Sequence, residues 1–179
     1  MTRKELALRH TTSFAGVRVT HRSPLNFDQV LANLRARVGE TTLTNIEALG
    51  AEPGSIEAFE EKVQKYIGDS GFMLFAEMNH GAWIAKYGIQ RRLLRWIFGN
   101  PVIAITMMRR DQTAGLFVPV ELLLAEDDDA TTCSVTYVVP STLIAIGDDA
   151  ELLAAAKALD AKVEALIASC VGRTSESSS

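Results

Sequence analysis

The sequence predicts an α+β fold in which a curved antiparallel sheet carries helices packed on one face. Three observations lead there. A segment near the start alternates with a period of two, several apolar runs in the middle are separated by short polar breaks, and the chain closes on one long amphipathic helix. Consecutive strands joined by short turns imply a meander, because a parallel pair needs a crossover of a dozen residues or more.

Ala15, Val17, Val19 and His21 alternate with Phe14, Arg18, Thr20 and Arg22, so a half-buried strand is predicted over 14–21, stopped by Ser23-Pro24. Asn26 is placed to cap a helix with Gln29 at its third position and Leu25 set to staple onto Val30. Phe27, Val30, Leu31, Leu34 and Val38 make its apolar face, and Gly39 ends it. Residues 40–54 show no pattern beyond a turn at Ala51-Glu-Pro-Gly54. A short helix is predicted over 55–68, with Ile56, Phe59, Val63, Tyr66 and Ile67 on its apolar side. Glu57, Glu60 and Glu61 lead Lys62 and Lys65, the order that suits the helix dipole.

A second strand is predicted over 71–79. The piece from Trp83 to Phe98 reads as a basic helical insert with Arg91, Arg92 and Arg95 on one side. Gly99-Asn100-Pro101 breaks it, and a third strand is predicted over 102–108, a fourth over 116–125 and a fifth over 131–139. Pro119 has no donor for a ladder, so that position requires an edge or a bulge. Asp148 or Asp149 caps the last helix, Leu152, Ala156, Leu159, Val163, Leu166, Ile167 and Cys170 form its stripe, and Gly172 ends it. Residues 1–172 are read as a single domain with helical insertions, and the Ser/Thr-rich tail 173–179 as disordered.

The 179 residues suffice for one core, and 47% hydrophobic with 22% charged is ordinary for a soluble globular protein. A net charge of −4 argues against a dedicated nucleic-acid binder. Cys133 and Cys170 have no neighbouring ligands at metal spacing, so no metal site and no disulfide framework is signalled. The first ten residues carry an acid and no long apolar stretch, unlike a signal peptide, and no apolar run approaches the roughly 20 residues that cross a bilayer. A cytoplasmic location is expected.

Candidate chemistry gathers at three places. Glu77 and Asn79 share one strand face beside His80, whose position at a helix start favours a neutral ring able to accept a proton. A local cap by Asn79 accounts for the same residues. From Met78 to Arg110 there are Lys86, Arg91, Arg92, Arg95, Arg109 and Arg110 with no acid, a positive stretch suited to an anionic ligand or, with Trp83 and Trp96, to an anionic membrane surface. A solvated helix face is the plain alternative. Glu121 shares a strand face with Phe117, Leu123 and Ala125; it is either solvated or, if covered, paired with a cation such as Arg109 or Arg110. Met73, Met78, Met107 and Met108 are able to line a soft pocket, and core packing explains them equally well. The two cysteines read as buried small hydrophobes.

The order of motifs resembles the family catalogued as domain of unknown function 302. The resemblance is carried by Ser23-Pro-Leu-Asn-Phe-Asp28, Gly71-Phe-Met-Leu-Phe-Ala-Glu77, Ile103-Ala-Ile-Thr106, Ala114-Gly-Leu-Phe-Val-Pro-Val-Glu-Leu-Leu123 and the closing strand and helix over 126–171. It implies a strand-helix-four-strand-helix sandwich similar to the TATA-binding-protein-like group, and a homodimer; it implies no activity or cofactor. Residues 41–68 and the basic piece around 91–96 stand outside the family core.

The leading functional reading is a pocket between sheet and helices for a small apolar molecule with an anionic group, its polar side chains drawn from Glu77, Asn79, His80, Trp83, Arg109 and Glu121. The alternatives are a hydrolase or isomerase with His80 as base oriented by Glu77 or Glu121, and a non-catalytic homodimer or membrane-surface protein using Trp83–Phe98.

Overall fold

Asn26 starts the first helix as its spacing requires. Its side chain accepts from the Gln29 backbone N–H at 3.0 Å, and the Gln29 side chain accepts from the Asn26 N–H at 3.1 Å. The computed structural model describes residues 9–128 and 130–172, so the tail expected to be disordered lies outside the described residues. These form β1 (Arg18–Ser23), α1 (Phe27–Arg37), β2 (Gly39–Glu40), α2 (Leu43–Ala51), α3 (Ile56–Gln64), β3 (Met73–Asn79) and α4 (Gly81–Ile84). The second half continues with β4 (Leu93–Gly99), α5 (Pro101–Met108), β5 (Val120–Glu126), β6 (Cys133–Val138), α6 (Ser141–Ile144) and α7 (Ala150–Cys170).

The strands make one sheet in the order β1-β6-β5-β4-β3-β2. Every neighbouring pair is antiparallel except β2 and β3, which are parallel and joined by the α2–α3 crossover. The fold is α+β, with a four-strand meander from β3 to β6 at its centre.

Alternation decides which side chains face the helices. Leu94, Trp96 and Phe98 of β4, Val120, Leu122 and Leu124 of β5, and Cys133, Val135 and Tyr137 of β6 are buried. Against them lies α7, capped by Asp149, whose carboxylate accepts from the N–H groups of Glu151 and Leu152 at 2.9 Å. All seven residues of its predicted stripe are no more than 4% exposed, so the layer between sheet and α7 is filled by side chains. At the sheet edge, Glu164 Oε2 accepts from the Tyr137 hydroxyl at 2.6 Å and lies 3.1 Å from His21 Nε2, tying β6 and β1 to α7. Both cysteines are free and buried, and burial pushes the Cys133 thiol up to about 11.

Four expectations are corrected. The basic segment 91–96 is not helical: Leu93–Gly99 is a central strand, in which Leu94, Trp96 and Phe98 share one buried face and the aromatic residues favour the extended form. Residues 102–108 are not a strand. Asn100 caps Val102 at 2.8 Å and Pro101 occupies the first helical turn, which starts α5. The fourth strand begins at Val120 rather than 116; a 3₁₀ turn spans Gln112–Leu116, and Pro119, after a cis peptide bond, sits just outside the ladder. The first strand runs from Arg18 to Ser23, not from Phe14. Residues 40–54, unpatterned in the sequence, hold β2 and α2, capped by Thr42.

Candidate functional site

The sheet places Glu77, Asn79, His80 and Trp83 at one end and an apolar space at the other. Six residue steps along β3, about 20 Å, separate Met73 from Asn79.

At the Asn79 end, Glu77 and Asn79 do share the helix-side face, paired with Trp96 and Leu94, while Met78 pairs with Arg95 on the outer face. They line an open cleft of about 430 Å³ with Gln90, Arg91, Arg92 and Glu126. Glu77 is committed within the fold. Its Oε2 accepts from Arg35 Nη2 at 2.7 Å and from the Trp96 indole N–H at 2.8 Å. Asn79 caps the next turn through Ala82 N–H at 3.0 Å. His80 accepts at Nδ1 from the Trp83 indole N–H at 3.3 Å, which leaves the neutral ring's proton on Nε2. The helix that follows, Gly81–Ile84, is a single turn.

Neither carboxylate serves His80. Glu77 is held by Arg35 and Trp96, and Glu121 lies on the outer sheet face, where Arg95, rather than Arg109 or Arg110, grips it through two N–H donors.

The uncompensated positive stretch is also corrected. Acids distant in sequence fold back onto it: Arg91 pairs with Asp128, Arg92 grips Asp28 with two donors at 2.9 and 2.5 Å, and Arg110 pairs with Asp149 and Glu151. Arg92 also lies 4.1 Å over the Phe27 ring, and its hydrogen bonds hold the Asp28 carboxyl below the usual carboxylate range. Among the described residues Lys86 and Arg109 alone of this stretch form no ion pair.

At the other end α2 runs beside α5 without closing on it. A hollow of about 140 Å³ lies between Leu43 and Ile46 of α2, Ala104, Met107 and Met108 of α5, and Phe75, Pro119 and Leu159 beneath. A wider groove of about 560 Å³ continues it past Leu49 and Gly50 to Ile56, Phe59 and Arg109. The two share Pro101, Ala104 and Met108, so they adjoin along that ridge of α5 as the two halves of a trough. A register shift in β3 between Leu74 and Ala76 frees Phe75 from strict pairing where it lines this wall.

Only Arg109 of the six predicted site residues reaches the trough. Met107 and Met108, weighed for a soft pocket, line it; Met73 and Met78 do not. The contribution of α2 had no signal in the sequence beyond Leu43, Ile46, Leu49 and Gly50 recurring on one helix face. None of the α2 residues is buried, so that face meets the trough instead of the core. The run Pro-Val-Ile-Ala-Ile-Thr-Met-Met, apolar but for Thr106, is visible in the sequence, where its composition suits a strand as well as a helix.

The family model described as "Domain of unknown function DUF302" matches residues 51–170. Among solved structures, the chain is similar to the "uncharacterized conserved protein DUF302 from Bacillus stearothermophilus", with a TM-score of 0.59 and 14% identity over 86% of this chain and 97% of that one. At that identity the likeness shows the fold alone. No curated protein matches this chain. No described helix is long and apolar enough to cross a membrane.

Proposed function

This chain belongs to the family of domain of unknown function DUF302, and from that premise, which supplies a fold and no reaction, we propose that it binds a small, largely apolar molecule in the trough between α2 and α5. One observation carries the reading. The helix α5 is apolar almost all round, a composition that belongs to fully buried helices, yet only Met107 of its residues is buried. Val102, Ile103, Ala104 and Met108 are half-covered and Ile105 is 43% exposed. An apolar ligand lying along α5 completes that burial.

The dimensions suit the task. Engineered enclosed cavities of about 150 Å³ lined by Leu, Ile and Phe take up benzene, and the inner hollow, open on one side, has a similar volume of about 140 Å³ and a similarly apolar lining. Water inside it finds few hydrogen-bond partners, so its displacement favours an apolar guest. Methionines and aromatic rings on the walls accommodate guests of varied shape. A catalytic reading finds less support: among the described residues every buried side-chain nitrogen and oxygen already has a partner, and His80 has no carboxylate to orient it.

Thermal denaturation with decanol or naphthalene tests the proposal. At a hundredfold excess over Kd, binding stabilises by about 2.7 kcal/mol, which raises the Tm of a protein this size by roughly 5–11 °C. In an Ala104→Trp variant, whose indole occupies the trough, the ligand-induced rise is abolished while the unliganded Tm shows whether the variant is folded. No rise in the wild type, or an equal rise in the folded variant, contradicts the proposal.

A further inference from the structure

We infer that the occupant is a single-chain amphiphile with an anionic head group, lying lengthwise with its tail in the inner hollow and its head at Arg109. This inference rests on the proposed apolar site and adds the chemistry and direction of its ligand.

Shape gives the lengthwise placement. The space is smaller, about 140 Å³, on the Phe75–Leu159 flank of α5 and larger, about 560 Å³, on the Ile56–Arg109 flank; both parts open to solvent, and they meet along Pro101, Ala104 and Met108. From Pro101 to Arg109 is eight residues of rise, about 12 Å along the helix. A compact ring fills only the inner part. An extended chain runs the whole length and covers both Met108 and the exposed flank at Ile105.

Charge gives the direction. Arg91, Arg92, Arg95 and Arg110 are each bound to an acid of the protein, whereas Arg109 is exposed and forms no ion pair among the described residues. Its Nε donates to the Ile105 carbonyl at 3.2 Å, one turn back in its own helix, which holds the stem against α5 and leaves the terminal N–H groups for a ligand. The facing wall contributes Glu52 and Glu60. Glu52 is taken by Lys62, and Ser55 caps α3 by accepting from Ala58 N–H at 3.3 Å. Glu60 is the acid that would select the opposite head charge, and a cationic probe tests it directly.

Titration calorimetry of the full chain with decanoate, decanol and decylammonium, on wild type and Arg109→Gln, separates the outcomes. Decanol, which carries no charge for Arg109 to meet, is the reference ligand in both proteins. The ratio of decanoate to decanol affinity falls roughly 1.5- to fivefold in Arg109→Gln, the range of an exposed ion pair. An unchanged ratio, or decylammonium binding wild type more tightly than decanoate, overturns the anionic head while decanol binding still supports the apolar site. Failure of decanol to bind wild type removes both.

Discussion

Replacing Trp96 with alanine lowers the stability of this protein by about 4 kcal/mol, the loss typical of truncating a fully buried large aromatic side chain, and its Tm by roughly 8–16 °C. Trp96 is 1% exposed at the middle of β4, between β3 and β5, so its removal leaves a hole in the layer that α7 fills. A second effect adds to the first. The indole N–H donates to Glu77 at 2.8 Å, and Arg35, which holds the same carboxylate oxygen, lies 6.0 Å from the ring centroid. Trp96→Phe keeps most of the apolar volume and loses that donor, so its cost is smaller, about 1–2 kcal/mol. Urea denaturation of both variants checks the order. A loss below about 1 kcal/mol in Trp96→Ala fits a tryptophan on a solvated helix and contradicts the central strand.

Gly39→Ala destabilises by about 3 kcal/mol or more, at the upper end for overpacking because the obstruction is backbone and cannot rotate away. A Cβ on Gly39 would lie 1.9 Å from the Tyr66 carbonyl oxygen, and one on Gly68 would lie 2.4 Å from the Arg37 carbonyl oxygen. The two glycines face each other where the α2–α3 crossover leaves and rejoins the sheet. Their N–H groups both donate to the Phe72 carbonyl, at 3.0 and 2.9 Å. A side chain at either position pries that junction open. Gly147→Ala is the control, since nothing lies within 4 Å of its added Cβ. It leaves the urea midpoint within about 0.5 kcal/mol of wild type. The crossover also forms one wall of the trough, so Gly39→Ala weakens ligand binding as well as folding.

The parts of the fold governed by local rules were legible in the sequence. The Asn26–Gln29 capping box and the α7 stripe from Leu152 to Cys170 follow from spacing alone, and the structure shows both. The stretch from 83 to 108 was not, because two periodicities compete there. Arg91, Arg92 and Arg95 fit one side of a helix, while Leu94, Trp96 and Phe98 fit one side of a strand, and burial between β3 and β5 decides for the strand. The short apolar run after Pro101 is equally ambiguous until Asn100 is recognised as its cap.

The site was legible only in part. Glu77 and Asn79 share a face, as alternation requires, and Met107 with Met108 line a pocket. The pairing of the arginines with Asp28, Glu121, Asp128 and Asp149 is set by tertiary structure and has no local signature. The same holds for the trough. It exists because α2, with an apolar face and no buried residue, stops short of α5, and nothing within 43–51 says how far it stands off.

Ligand occupancy of that trough is the central claim, and methionine-methyl NMR tests it most directly. With ¹³C-methyl-labelled protein titrated with decanol, the Met107 and Met108 resonances shift and saturate while Met78, on the outer sheet face about one strand length away, stays in place. Resonances of Met107 and Met108 that remain fixed throughout the titration, or a saturable shift confined to Met78, contradict the account.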